Sequence, residues 1–183
     1  MKIRVLGLRK VLREGSRLLG VAQIEINNTL VVEDIRIIEG PSGKFIAMPS
    51  KKVNDNYIDL AHPTVIEGRE EIQNAVLKAY NEEIFESGWL TPMEITDIRI
   101  NIIPNEKGVV AIAAVLLNNN FAIKDIQVVK DINEKGDIVY KFFFPARDDG
   151  EGNMRNVFYT VDRDFTNKMF GMILDEYKKK INQ

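Results

Sequence analysis

The stretch from Val31 to Lys52 reads Val-Val-Glu-Asp-Ile-Arg-Ile-Ile-Glu-Gly-Pro-Ser-Gly-Lys-Phe-Ile-Ala-Met-Pro-Ser-Lys-Lys, and its grammar is strand, tight turn, strand, basic tip. Val31, Ile35 and Ile37 alternate with Glu33, Asp34 and Arg36 as in a half-buried strand. Gly40-Pro41-Ser42-Gly43 supplies what a turn needs, a positive φ at glycine and a fixed φ at proline. Phe45, Ile46, Ala47 and Met48 form the return strand. Pro49 has no N–H to give a ladder, so pairing is predicted to stop there and leave Ser50, Lys51 and Lys52 presented beyond the sheet edge.

Outward from this stretch toward the N-terminus, residues 2 to 12 alternate loosely. Ile3, Val5, Leu8 and Val11 stand among Lys2, Arg4, Arg9 and Lys10, a first strand with a basic face that ends in a turn at Glu14-Gly15-Ser16. Leu18 to Ile26 is a second strand, and Asn27-Asn28-Thr29 a hairpin turn, because asparagine tolerates left-handed geometry. In the other direction Asn54-Asp55-Asn56 turns the chain into Tyr57 to Leu60. His62-Pro63-Thr64 then reads as a helix entry, with Thr64 as N-cap. Ile66, Ile72, Ala75, Val76, Ala79 and Tyr80 give the spacing of an amphipathic helix, with Glu67, Glu70 and Glu71 near its N-terminal end.

The same order of elements then begins again. Val21-Ala22-Gln23-Ile24-Glu25-Ile26-Asn27-Asn28 aligns with Ile112-Ala113-Ala114-Val115-Leu116-Leu117-Asn118-Asn119, and Asp34-Ile35 with Asp125-Ile126 in the same register. After an insertion around Asn133 to Asp137, Pro49 corresponds to Pro145 and the helix end at Tyr80 to Tyr177. The predicted fold is therefore α+β: two tandem repeats, each an antiparallel β-meander followed by a C-terminal helix, packed as a pseudo-dimer. The repeats span 1–83 and 93–183, joined by a packed linker at 84–92. That linker, Ile84 to Pro92, is too apolar to hang free, so Phe85 and the single Trp89 are expected to pack across the joint.

At 183 residues with 45% hydrophobic content the chain can build a real core. A formal net charge of −2 excludes a protein that is basic all over but leaves room for a local basic patch. With no cysteine there is no disulfide, thiolate nucleophile or thiolate metal site. The N-terminus places charges within its only short apolar run, unlike a signal peptide or membrane span. A soluble cytoplasmic protein with no membrane partner is expected.

Constellations that carry catalysis are missing from the pattern. His62 is the only histidine and has no cysteine, second histidine or serine partner, so it reads as a structural residue at the helix entry, bonding an otherwise unpaired N–H. Asp148-Asp149-Gly150-Glu151-Gly152-Asn153 has oxygen ligands without the spacing of an EF-hand and reads as a solvated turn. Lys178-Lys179-Lys180 complement the dipole of the last helix. No cofactor, metal or enzymatic activity is expected.

Val32 to Gly40, Gly43 to Lys52 with its Phe-Ile-Ala-Met-Pro-Ser-Lys-Lys run, Asp59-Leu60-Ala61-His62-Pro63, and the helix residues Glu71 to Leu77 with Tyr80 resemble the SpoVG family of small bacterial proteins. The resemblance covers the whole first copy. The second copy opens similarly at Met93 to Arg99, but its tip is Pro145-Ala146-Arg147-Asp148-Asp149. Near the position of the family's further arginine past the basic pair, this chain has Ile58. The resemblance implies a dimeric α+β fold, a link to septation and sporulation control, and binding of DNA and RNA through basic residues after the Pro-Ser. On that reading the nucleic-acid contacts are Lys51 and Lys52, joined by Arg9, Lys10 and Arg13 from the basic first strand and its turn. Binding is expected to be weak, with the first copy carrying the site. A protein-interaction module without nucleic-acid binding is the alternative.

Overall fold

The computed structural model describes residues 1–106 and 108–182. The first repeat runs β1 (Ile3–Lys10), β2 (Leu18–Ile26), β3 (Leu30–Gly40), β4 (Gly43–Ala47), β5 (Ser50–Val53), β6 (Asn56–Asp59), β7 (Ala61–Pro63) and α1 (Ile66–Glu82). A short strand, β8 (Glu86–Ser87), lies in the connection. The second repeat is β9 (Ile95–Glu106), β10 (Val109–Leu117), β11 (Phe121–Ile132), β12 (Ile138–Phe143), β13 (Ala146–Asp148), β14 (Met154–Asn156), β15 (Phe158–Thr160) and α2 (Arg163–Ile181). The α+β arrangement of two tandem repeats, each ending in a helix, is the one expected from the sequence.

Local chemistry explains the turns. Asn27 and Asn28 close β2 onto β3 with φ of 51° and 53°, and Asn118 and Asn119 repeat this between β10 and β11 with 48° and 55°. Gly40 pairs with Gly43 across Pro41-Ser42, and the ladder to β3 ends at Ala47, just before Met48-Pro49. Asp34 and its counterpart Asp125 both hold positive φ, at 56° and 69°. Each lies in the bulge between its strand and the preceding one, where Glu33-Asp34 stand opposite Gln23 and Lys124-Asp125 opposite Ala114.

The two repeats exchange strands. One sheet has the order β15-β3-β2-β1-β8, with β4 also on β3, and the other β12-β11-β10-β9, with β7 also on β11. Thus β15 of the second repeat extends the first sheet, with Phe158 opposite Val32 and Thr160 opposite Leu30. Reciprocally, β7 extends the second, with Ala61 opposite Ile123 and Pro63 opposite Phe121. Residue by residue this is the self-complementary pattern of a two-fold interface, written within one chain. α1 packs on β1 and β4, and α2 on β9 and β15. A single core joins both halves, including Ile24, Leu30 and Val76 from the first and Phe121, Phe158 and Ile173 from the second.

Three expectations are corrected. Trp89 does not pack across the joint: it is 88% exposed, and Phe85 is 45% exposed. The exchanged strands already fill the joint, so the linker is left to lie along the outer edge of β1. There Gly88, at φ +78°, passes so close to Met1 that an added Cβ would collide with the Met1 carbonyl oxygen. Thr64 is not the cap of α1. Val65 is, without a side-chain bond, because Thr64 is held by the second repeat through its N–H to the Asn120 carbonyl at 2.8 Å. His62 bonds no helix N–H; its Nδ1 lies 3.0 Å from the Pro63 carbonyl, and its Nε2 is buried without a partner among the described residues.

Candidate nucleic-acid interface

Lys51 and Lys52 stand on the β5–β6 hairpin, which leaves the first sheet after Pro49 and lies against the second repeat. Lys51 pairs across the hairpin with Ile58 and Lys52 with Tyr57. Because strand side chains alternate, the two lysines face opposite ways. Lys52 is exposed and has no carboxylate partner among the described residues. Lys51 is not a free tip: its Nζ lies 2.6 Å from Asp125 Oδ1, with the side chain 41% exposed.

That ion pair has a twin. The second tip places Arg147 where the first has Lys51, and Arg147 Nη1 lies 2.5 Å from Asp34 Oδ2. Asp34 and Asp125 are the aligned left-handed residues of β3 and β11, so each repeat's tip cation reaches the other repeat's bulge carboxylate. Arg147 also donates through Nη2 to the Ser50 carbonyl, next to Lys51. The two pairs therefore stand together at the pseudo-two-fold axis, where the outer faces of the sheets meet.

A groove with basic residues in its lining extends to either side. On the first sheet Arg9, Arg36, Arg147 and Arg155 line it, alternating with Glu33, Asp34, Asp148, Asp149 and Glu151. On the second sheet Lys51, Arg99 and Lys124 line an apolar floor that includes Leu60, Ile112 and Ala114. Arg99 is paired with Asp97 at 3.2 Å yet its side chain is 86% exposed, and Lys124 has no ion-pair partner among the described residues. Two pseudo-equivalent grooves thus differ in charge: the first holds more carboxylates than cations, the second more cations than carboxylates.

Arg9 is brought toward Lys51 by the line Arg9, Arg36, Arg147, Ser50. Lys10, one residue on, faces the other side of the sheet, where its ammonium sits 4.9 Å from the centre of the Tyr80 ring. Lys44 joins it there at 5.4 Å and contacts Asn81 Oδ1. These two lysines stand at the C-terminal end of α1, whose last turn has no basic residue of its own, and so complement its dipole. Arg13 lies exposed in the β1–β2 connection beyond them. The five basic residues read from the sequence therefore fall in three places, not on one continuous face.

Arg99 and Lys124 were missed because they sit singly within strands of the second copy. Their signal was present in the repeat alignment: Lys124-Asp125 stands where the first copy has Glu33-Asp34, a charge reversal at a matched position. The acidic loop after Arg147 is spent on itself. Asp149 Oδ1 accepts from the N–H groups of Glu151 and Asn153, and its Oδ2 from Arg155 Nε at 3.0 Å. Asp148 Oδ1 accepts from Gly150 and Gly152. The Glu151 N–H above all, with Asn153 and Arg155, holds the Asp149 carboxyl below the ordinary carboxylate value. No cluster of three or more His, Asp or Glu that could hold a metal occurs among the described residues, and no helix among them is long and apolar enough to cross a membrane.

Comparison with known proteins supplies the family. The SpoVG family model matches residues 1–82 and again residues 93–179. A relative from Finegoldia magna is 39% identical over 53% of this chain and 91% of its own length. One from Agathobacter rectalis is 48% identical over 46% of this chain and 97% of its own, and one from Clostridium beijerinckii 44% over 47% and 94%. All three carry the name septation protein SpoVG, and each matches about half of this chain over nine-tenths or more of its own length.

Proposed function

The chain belongs to the SpoVG family, two units of which it carries in tandem, and from that premise we propose that it is a nucleic-acid-binding regulatory protein of DNA, RNA or both. The name its relatives carry, septation protein, supports a role in septation, with sporulation control as the related process. The observation that carries the reading is the line of cations crossing the pseudo-two-fold axis, Arg9, Arg36 and Arg147 on one side and Lys51, Lys124 and Arg99 on the other. A phosphodiester backbone laid along it meets positive charge at both ends, and the counterions it sheds drive association. Lys52 projects from the opposite face of the central hairpin, and Lys10 and Arg13, which lie off this line, offer separate contacts to a longer strand that wraps the edge of the first sheet.

Affinity is modest for a physical reason. The two central cations are shared with Asp125 and Asp34, so a phosphate must compete with a carboxylate at each. The Asp148–Glu151 loop further opposes a polyanion on the first sheet. The second groove, with Lys51, Lys124 and Arg99, is consequently the stronger half of the track, although two of its three cations come from the repeat whose tip has lost its lysines.

The test is a salt titration of binding to random duplex DNA and single-stranded RNA by fluorescence anisotropy. Replacing Lys124 and Arg99 with alanine should shallow the salt slope on duplex by up to about two units, at roughly −0.9 per phosphate contact. The pair Lys51→Ala and Lys52→Ala should do the same. Wild-type protein that fails to bind either polymer at low salt, or a slope indifferent to all four changes, refutes the proposal.

A further inference from the structure

Because the two repeats match residue for residue, a slot filled in one and open in the other is informative. In the first repeat the outer edge of β1 is covered by the connection after α1. Val5 N–H donates to the Phe85 carbonyl at 2.7 Å, Glu86 lies opposite Arg4 and Ser87 opposite Ile3. With Ser87, Gly88 and Trp89 the segment forms one wall of a groove against α1, whose other wall includes Met1, Ile3, Ala75 and Lys78. Lys2 Nζ holds Glu86 Oε1 at 2.9 Å.

In the second repeat Ile95, Asp97 and Ile98 occupy the places of Ile3, Arg4 and Val5, judged by their partners Leu117, Leu116 and Val115 on β10 and Ile26, Glu25 and Ile24 on β2. Nothing covers them: among the described residues β9 pairs only with β10. The matching groove, between β9 and α2, is lined by Ile95, Ile98, Met172, Asp175, Glu176 and Lys179. It is bounded on one side by Lys180, whose ammonium sits on the Ile100 carbonyl and ends the open edge there. The open stretch is therefore the one that the first repeat fills.

Its charge is inverted. Lys2 and Arg4 in the first repeat become Glu94 and Asp97 in the second. The equivalence of Lys2 and Glu94 is fixed by the same reciprocal bonds to Asn27 and Asn118. Asp175 replaces Lys78 on the helix side, and Lys179 is engaged by Glu176 at 2.5 Å. A segment with a carboxylate at the Glu86 position meets attraction on β1 and repulsion on β9.

We infer that the open edge of β9, with the groove between it and α2, is a docking site for an extended segment of a partner protein, which adds to the second sheet as an antiparallel strand. That segment carries Lys or Arg between apolar residues. Main-chain bonds to Ile95 and Ile98 supply affinity, the Ile95–Met172 groove takes the apolar side chains, and Glu94 and Asp97 select the basic one.

The full chain, labelled for NMR, is titrated with a synthetic peptide of sequence 84–91 carrying Glu86→Lys, and with the unaltered 84–91 peptide. The basic peptide should shift the amides of 95–98 and of Met172 and bind about tenfold more tightly than the acidic one, since each exposed charge pair contributes modestly. Methylating the peptide's Ser87 nitrogen should abolish binding by removing a ladder donor. In the variant Glu94→Lys, Asp97→Lys, whose changes are both on exposed side chains, the preference should reverse. Absence of shifts at 95–98, or a preference that does not reverse, overturns the inference. So would amides at 95–98 already protected in a dimer seen by sedimentation, which would assign the edge to a second copy.

Discussion

Arg147 stands where the first repeat has Lys51, yet it is more tightly held. Its guanidinium spans Asp34 and the Ser50 carbonyl at once, with both ion-pair partners 31% exposed, whereas Lys51 makes one contact from a more exposed position. A planar fork can satisfy two acceptors in fixed geometry where an ammonium cannot. Arg147→Ala should therefore lower stability by about 1 kcal/mol in urea unfolding, and Lys51→Ala by less, since partly exposed pairs contribute little. Equal costs would contradict the bidentate account. Asp149 offers a second test. Its carboxyl is held below the ordinary 3.8, first by the Glu151 N–H, so its ionised form is favoured by the fold. The stability it adds is present above that ordinary value and is lost as pH falls through the lowered one. The Glu151 and Asn153 amide resonances should hold their positions on acidification until pH drops below 3.8, and movement near neutrality would refute the assignment.

At the scale of elements, the exchanged strands bear the most weight. Phe158 is fully buried in β15 and packs edge-on against Phe144, with ring centres 5.4 Å apart. Phe158→Ala should cost about 3–5 kcal/mol and, because β15 lies on β3 and the Glu33 N–H donates to the Val157 carbonyl at 2.9 Å, should expose the amides of Val31 and Glu33 in the other repeat to hydrogen exchange. Protection lost only within the second repeat would argue against the exchange. The meanders, both helices and the asparagine turns were legible because alternation, helical spacing and left-handed tolerance are local properties. The exchange was not: Ala61-His62-Pro63 and Phe158-Tyr159-Thr160 are too short to show a period, and Pro63 reads as a helix start when in fact it sits on a sheet edge, where it needs no second ladder partner. The apolar linker misled in the opposite sense, since Ile84 to Leu90 looks like core but lies on an edge. Asp162, whose carboxylate accepts from the Phe165 N–H at 2.9 Å to cap α2, was readable by the same rule that misplaced the cap of α1 at Thr64.

For the whole molecule, the shared core means that neither repeat owns a complete sheet. Residues 1–83 alone lack β15, which covers Leu30 and Val32, and residues 93–183 lack β7. Each half should be poorly folded or self-associated in isolation, as judged by sedimentation and thermal melting. The two halves mixed should recover a cooperative transition. A stable, cooperative monomer of 1–83 would refute the shared-core account. The connection at 84–92 adds a consequence of another kind. It tethers the two partners at an effective concentration of order millimolar, so their union is an intramolecular event that dilution does not reverse. A single-copy relative must compete against that tether to enter the assembly, and loses. The tandem chain is thereby insulated from mixing: in a cell that also makes a single-unit relative, it keeps its unequal pair of grooves as a fixed combination, one of each, never two alike.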